Sequence, residues 1–201
     1  MTANSGAGHA QSRPDAVAAM LRPRSIAIVG ATPDPIKLNG RPQFFLERDG
    51  YAGEIWPVNP RYADIRGRKC YPDIAALPGA PDMAIIAVAA ERAREIVAAL
   101  GARGCPVAVL FSSGFGELGE AGKRLEAELV ATARATGIRL CGPNTLGLIN
   151  AFERMPATFS QYADAPPLAG PCGFASQSGA FGTGISAMAR SRGLGLGYFV
   201  S

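Results

Sequence analysis

The chain predicts an α/β fold built on a doubly wound parallel sheet, followed by the start of a second α/β unit. Three observations predict it. Short apolar runs alternate with amphipathic stretches of helical period. The runs "SIAIV", "MAIIAV" and "PVAVLF" are apolar almost throughout, as strands covered on both faces are. The stretches between them are long enough to be crossover helices, which makes neighbouring strands parallel.

Taken in order, Ser25–Val29 reads as a buried strand that ends in Gly30. Arg41–Arg48 reads as a short helix stopped by Asp49-Gly50. Glu54–Val58 is a second strand with Pro57 near its end, where a missing N–H is tolerated. A helical turn lies between the prolines of "YPDIAALPGAPD". Met83–Val88 is the third strand, and Glu91–Arg103 a helix with Ile96, Val97 and Leu100 on one face. The fourth strand starts at Pro106. Glu120–Thr136 is the longest helix, with Leu125, Leu129 and Val130 inward, and Arg139–Cys141 is a short fifth strand. Residues 21–150 are expected to form this Rossmann-like domain, after a disordered leader over 1–20. The prolines of 151–170 mark a connector. Residues 171–201 restart the pattern with a strand, a Ser/Gly turn, a helix and another strand, and read as an incomplete second domain.

Composition narrows the functional classes. The chain has 201 residues, 48% of them hydrophobic, and a formal charge of +4 without a basic block. That disfavours nucleic acid as a partner. No apolar run reaches the roughly 20 residues of a membrane span, and no secretory h-region opens the chain. A cytoplasmic protein is expected. The sole histidine is His9, and the four cysteines share no C-x-x-C unit. A metal site and a His-based triad therefore lack partners, and the cysteines read as small apolar residues.

Ligands of such sheets bind beyond the carboxyl ends of the strands. Gly30, Ala31 and Thr32 follow the first strand, and Lys37, Asn39 and Gly40 lead into the first helix, in place of the second and third glycines of a dinucleotide fingerprint. This loop reads as a phosphate cradle or, alternatively, as a packing glycine. Val58-Asn59-Pro60 follows the second strand, where an NAD domain keeps a carboxylate. A neutral Asn with Arg61 beside it tolerates a phosphorylated ribose; an ordinary Asn-Pro turn is the rival reading. Ala89 and Ala90 after the third strand leave room for a flat ring. Ser112, Ser113, Gly114 and Gly116 after the fourth offer free N–H groups, and Gly142, Pro143 and Asn144 after the fifth form a turn whose Asn can bond a ligand amide.

Five segments in order, "SIAIVGATPDP", "IWPVNPRYADIRGRKCYPDIAALPGAPDMAIIAV", "SSGFGELGE", "RLCGPNTLGLIN" and "FASQSGAFG", resemble the CoA-binding domain of the NDP-forming acyl-CoA synthetases. That family includes ADP-forming acetate–CoA ligases and the alpha subunit of succinyl-CoA synthetase. The resemblance implies coenzyme A as ligand and no metal in this chain. It puts CoA phosphates against Gly30, Ala31, Thr32, Lys37, Asn39 and Gly40, and adenosine near Val58, Asn59 and Pro60. Val88 and Ala89 flank the adenine, and Ser112, Gly114 and Asn144 lie near the pantetheine arm. It also implies a flavodoxin-like second domain whose "SQSGA" turn, through Ser176, Ser178 and Gly179, faces the phosphate of a catalytic histidine; a plain helix cap at Ser178 is the structural alternative.

In that family the histidine lies further along and an ATP-grasp part phosphorylates it. This chain alone is therefore expected to bind CoA without turnover. An ATP-grasp subunit or further domain is the implied partner, and a homo-oligomer is possible. Two other readings are a CoA-binding regulatory module of an acetyltransferase fusion and an NAD-binding oxidoreductase domain. Gly30→Val is expected to block the phosphate approach while leaving the fold largely intact. The tail from about Gly173 is expected to be protease-sensitive.

Overall fold

The computed structural model describes residues 15–201. His9 and most of the expected leader lie outside them. The rest of that leader is ordered: α1 (Ala16–Leu21) is capped by the Asp15 carboxylate, which accepts from the Val17 N–H at 3.0 Å. Ala16, Ala19, Met20 and Leu21 pack on the sheet's core, a short apolar stripe that the Gly/Ala/Ser-rich surroundings conceal in the sequence.

The first sheet holds β1 (Ser25–Val29), β2 (Glu54–Val58), β5 (Met83–Ile86), β6 (Val107–Leu110) and β7 (Arg139–Cys141). Its order is β2-β1-β5-β6-β7, all parallel. Between β2 and β5 lies a two-stranded hairpin, β3 (Asp64–Ile65) with β4 (Arg68–Lys69). The period of two divides the parallel strands between two cores. Ala27, Val29, Ala84, Ile86, Ala108 and Leu110 face α3 (Ala90–Ala102) and α4 (Glu120–Thr136), which contribute Val97, Leu100 and Leu129. Ile26, Ile28, Met83, Ile85, Val107 and Val109 face the other way.

That second face is covered by α1, by α2 (Arg41–Asp49) and by a hairpin that the sequence does not announce. β8 (Gly147–Asn150) and β9 (Met155–Thr158) pair antiparallel, and Leu148, Met155 and Ala157 share the parallel sheet's core. The stretch 151–170, expected as a connector, therefore contains a fully buried strand and a 3-10 turn at Gln161–Asp164. Strands of four residues are too short to show alternation, and Pro156 argues against one. The turn between them carries no glycine or proline. The Asn150 side chain accepts from the Phe152 and Glu153 N–H groups at 3.0 and 3.2 Å, and Arg154 takes φ +50.

β10 (Cys172–Ala175), α5 (Gly179–Ser191) and β11 (Leu196–Val200) follow as strand, helix and strand. β11 is central in a second sheet of order β10-β11-β8-β9: parallel to β10, antiparallel to β8.

Candidate ligand-binding site

The strand order reverses between β1 and β5, because β2 lies on one side of β1 and the later strands on the other. This is the switch point at which open α/β sheets form a crevice. A cavity of about 420 Å³ lies there, lined by Gly30, Val58, Asn59 and Val88 from the strand ends and by Arg92 and Ile96 from α3.

Gly30 sits at the junction with φ +91, and its N–H donates to the Val58 carbonyl at 2.9 Å. A Cβ there would lie 2.5 Å from the Ala87 carbonyl oxygen and 3.0 Å from Val88 Cγ1. Glycine is thus demanded by the meeting of three strand ends, whatever lies above them. The expectation that Gly30→Val spares the fold is corrected accordingly.

The loop after β1 is held by two asparagines. Asn39 Nδ2 donates to the Gly30 carbonyl at 2.5 Å, and Asn59 Nδ2 to the Ala31 carbonyl at 2.8 Å. Asn59 Oδ1 accepts from the Arg61 N–H at 3.0 Å, so both ends of this amide are engaged. Ala31 and Thr32 are buried beneath the loop. Gly40 starts α2 so close to the loop that a Cβ would lie 1.9 Å from the Asp34 carbonyl oxygen. Lys37 is exposed on the outer rim, its ammonium 3.7 Å from Asp34. It does not line the cavity.

The later strand ends are tied in a row. The Ser112 hydroxyl donates to the Val88 carbonyl, and the Asn144 N–H, with φ +56 at its residue, donates to the Ser112 carbonyl at 3.0 Å. Ala89 stands exposed at the N-terminal cap of α3, outside the cavity lining, whereas Pro60, also exposed, lines the cavity. Gly114 differs from expectation. Its N–H donates to Glu117 Oε1 at 2.6 Å, and Phe115 N–H donates to Oε2 at 3.2 Å. These backbone donors hold the Glu117 carboxyl below its ordinary range, so the loop's expected free N–H groups are partly taken by its own acid.

In the second sheet, Ser178 caps α5, its hydroxyl 3.4 Å from the Phe181 N–H, while the Ser176 hydroxyl donates to the Ser178 carbonyl at 2.8 Å. A Cβ on Gly179 would lie 2.7 Å from Leu146 Cγ. The start of α5 therefore abuts a residue two positions beyond Asn144, at the far end of the same edge.

Sequence reasoning leaves Arg92 and Ile96 out of the site, and uses Arg61 only as a neighbour. The available signal was a cation in the first turn of the helix after the third strand. Among the described residues no cluster of His, Cys, Asp and Glu has a metal-site arrangement, and no helix is long and apolar enough to cross a membrane.

A five-stranded parallel sheet with a glycine turn and an apolar cleft at its switch point defines a nucleotide-binding α/β domain. Residues 24–151 match the family model described as a CoA binding domain, and the chain belongs to that family. The alpha subunit of ADP-forming acetate–CoA ligase II from Pyrococcus furiosus is 38% identical over 179 residues, 89% of this chain and 38% of that protein. Trans-feruloyl-CoA synthase from an unknown prokaryotic organism is 37% identical over 177 residues, 87% of this chain and 25% of that protein. Among solved structures, the dinucleotide forming acetyl-coenzyme A synthetase 1 of Ca. Korarchaeum cryptofilum superposes with a TM-score of 0.85 at 34% identity, over 92% of this chain and 39% of that one. The chain spans 38–40% of the Pyrococcus acetate–CoA ligase alpha subunits that it matches. These relatives lend no support to an acetyltransferase module or an NAD-dependent oxidoreductase.

Proposed function

We propose that this chain binds coenzyme A along the carboxyl edge of its parallel sheet, as the CoA-binding portion of an NDP-forming acid–CoA ligase. In this reading the adenosine occupies the cleft between the Asn59 turn and α3. The pyrophosphate lies over the Gly30–Thr32 backbone, where Asn39 fixes the loop and Lys37 and Gly40 border it. Val88 and Ala89 flank the adenine, and the pantetheine arm passes Ser112, Gly114 and Asn144 toward α5, where Ser176, Ser178 and Gly179 form an anion nest. The reaction is acid plus CoA plus ATP giving acyl-CoA, ADP and phosphate. The phosphoryl-carrying histidine and the ATP-grasp part belong, in this reading, to a partner subunit or a further domain, in the cytoplasm.

The observation that carries the reading is the cleft at the switch point with neutral Asn59 where a dinucleotide domain keeps an acid. Thermal unfolding with added ligand tests it. A ligand at about 100 times its Kd stabilises the native state by about 2.7 kcal/mol, so saturating CoA should raise Tm by several degrees. NADH at equal concentration should not. Stabilisation by NADH and not by CoA overturns the reading.

A further inference from the structure

The Asn59 amide is held as a staple of the turn, one donor serving the Ala31 carbonyl and its oxygen accepting from the Arg61 N–H. Yet Asn59 stands where sheets of this kind read the adenosine ribose. A neutral amide supplies no positive charge, so charge-assisted recognition of a phosphate there falls to its neighbours. Two arginines line the cavity, Arg61 just after the β2 turn and Arg92 in the first turn of α3. Both are exposed. Arg24, Arg48, Arg66 and Arg68 each pair with a carboxylate at 2.6 to 3.1 Å. Among the described residues, the Arg61 and Arg92 guanidinium groups have no carboxylate within 4.0 Å and no hydrogen-bond partner, while their backbone N–H groups donate to Asn59 Oδ1 and to the Ala89 carbonyl.

We infer that Arg61 and Arg92 form a cationic pair at the mouth of the cleft that reads a phosphate on the adenosine ribose, selecting a 3′-phosphorylated adenosine over its dephosphorylated form. This rests on the CoA reading above and assigns the residues that discriminate within it. The inner surface, from Val29, Val58, Ile74, Val88 and Ile96, is apolar and suits a flat base. A phosphomonoester carries nearly two negative charges at neutral pH, and a guanidinium meets it with parallel N–H donors. Two carboxylates also line the cavity, Glu95 one turn further along α3 and Asp73. They repel a phosphate wherever the two arginines do not hold it. A site built for an unmodified ribose has no use for two unpaired cations there.

Calorimetric titration with CoA and with dephospho-CoA tests this on the wild type, Arg61→Ala, Arg92→Ala and the double variant. Arg124→Ala, which removes the same charge from α4, is the control. The wild type should bind CoA at least about tenfold more tightly than dephospho-CoA. Each single variant should lose about tenfold in CoA affinity, the loss expected of one charge-assisted hydrogen-bonding group. The double variant should lose more, and all variants should keep dephospho-CoA affinity within about twofold. Arg124→Ala should match the wild type. Equal wild-type affinity for the two ligands overturns the inference while leaving the CoA reading standing, as do variants that weaken both ligands alike. A wild type that binds neither ligand overturns the CoA reading itself, and the inference with it.

Discussion

Gly30 illustrates how one residue serves both fold and site. Its φ of +91 and its 2.5 Å clearance to the Ala87 oxygen leave no room for a Cβ. Alanine there must shift the β5 end or distort the turn, at a cost of about 1–3 kcal/mol. Gly30→Ala should therefore lower the urea midpoint and weaken CoA binding together. A variant with unchanged stability and lost binding would mean that only the ligand needs this glycine. Cys105 makes a contrasting case, since burial pushes its thiol up to about 12. At pH 8 it is expected to stay inert to a thiol reagent until the protein unfolds, as a packed apolar residue should. Rapid labelling of Cys105 in the native protein would contradict that. The sequence was informative about Gly30 because a glycine after a first strand is a recurrent pattern. It was silent about Asn39 and Asn59 as loop staples, because a side chain's choice between ligand and backbone depends on atoms distant in the chain.

At the scale of elements, the five parallel strands and the helices α2 to α4 were legible because each repeats a strong pattern, apolar throughout or apolar at helical spacing. The β8–β9 hairpin was not, since its strands are four residues long and its turn is made by the Asn150 side chain and by Arg154 at φ +50. The loop after β6 was legible in composition but not in wiring, because Glu117 turns back on the N–H groups of Gly114 and Phe115. Its folded pKa is depressed, so the clamp is intact above the ordinary glutamate range and is lost as pH falls through the lower folded value. By NMR, the Gly114 amide proton should titrate with a midpoint below that of an ordinary glutamate, and Glu117→Gln should abolish the titration. An ordinary midpoint would show that the contact does not bind in solution. The clamp lies on the loop that the proposed function gives to the pantetheine arm, so the same variant bears on that proposal.

For the whole molecule, the question is whether the parallel sheet and the second sheet act as one body. The β8–β9 hairpin packs into the core of the parallel sheet, while β11 ties that hairpin to β10 and the chain's last helix. This arrangement gives the tail more support than an isolated unit of its length would have, which weakens the expectation of easy proteolysis from Gly173. A polar latch adds to it. Arg48 of α2 is bidentate to Asp49, at 2.6 and 3.0 Å, and donates to the carbonyls of Ala163 and Asp164 at 2.7 and 2.9 Å. Its guanidinium also lies 4.9 Å from the Phe45 ring centroid, and Arg41 pairs with Asp164 alongside. The Asp49 side chain is only 3% exposed, so removing its partner strands a buried charge and two acceptors. Arg48→Ala should cost about 2–4 kcal/mol. Arg48→Lys should recover only part of this, because an ammonium keeps the charge but not the planar fork. Urea unfolding followed by Trp56 fluorescence reports on β2 in the first sheet, and far-UV circular dichroism reports on the entire chain. In the wild type the two transitions should coincide, and Arg48→Ala should move both to lower urea. Separate wild-type transitions, or an Arg48→Ala midpoint equal to the wild type, would show that the two sheets are joined by contact alone.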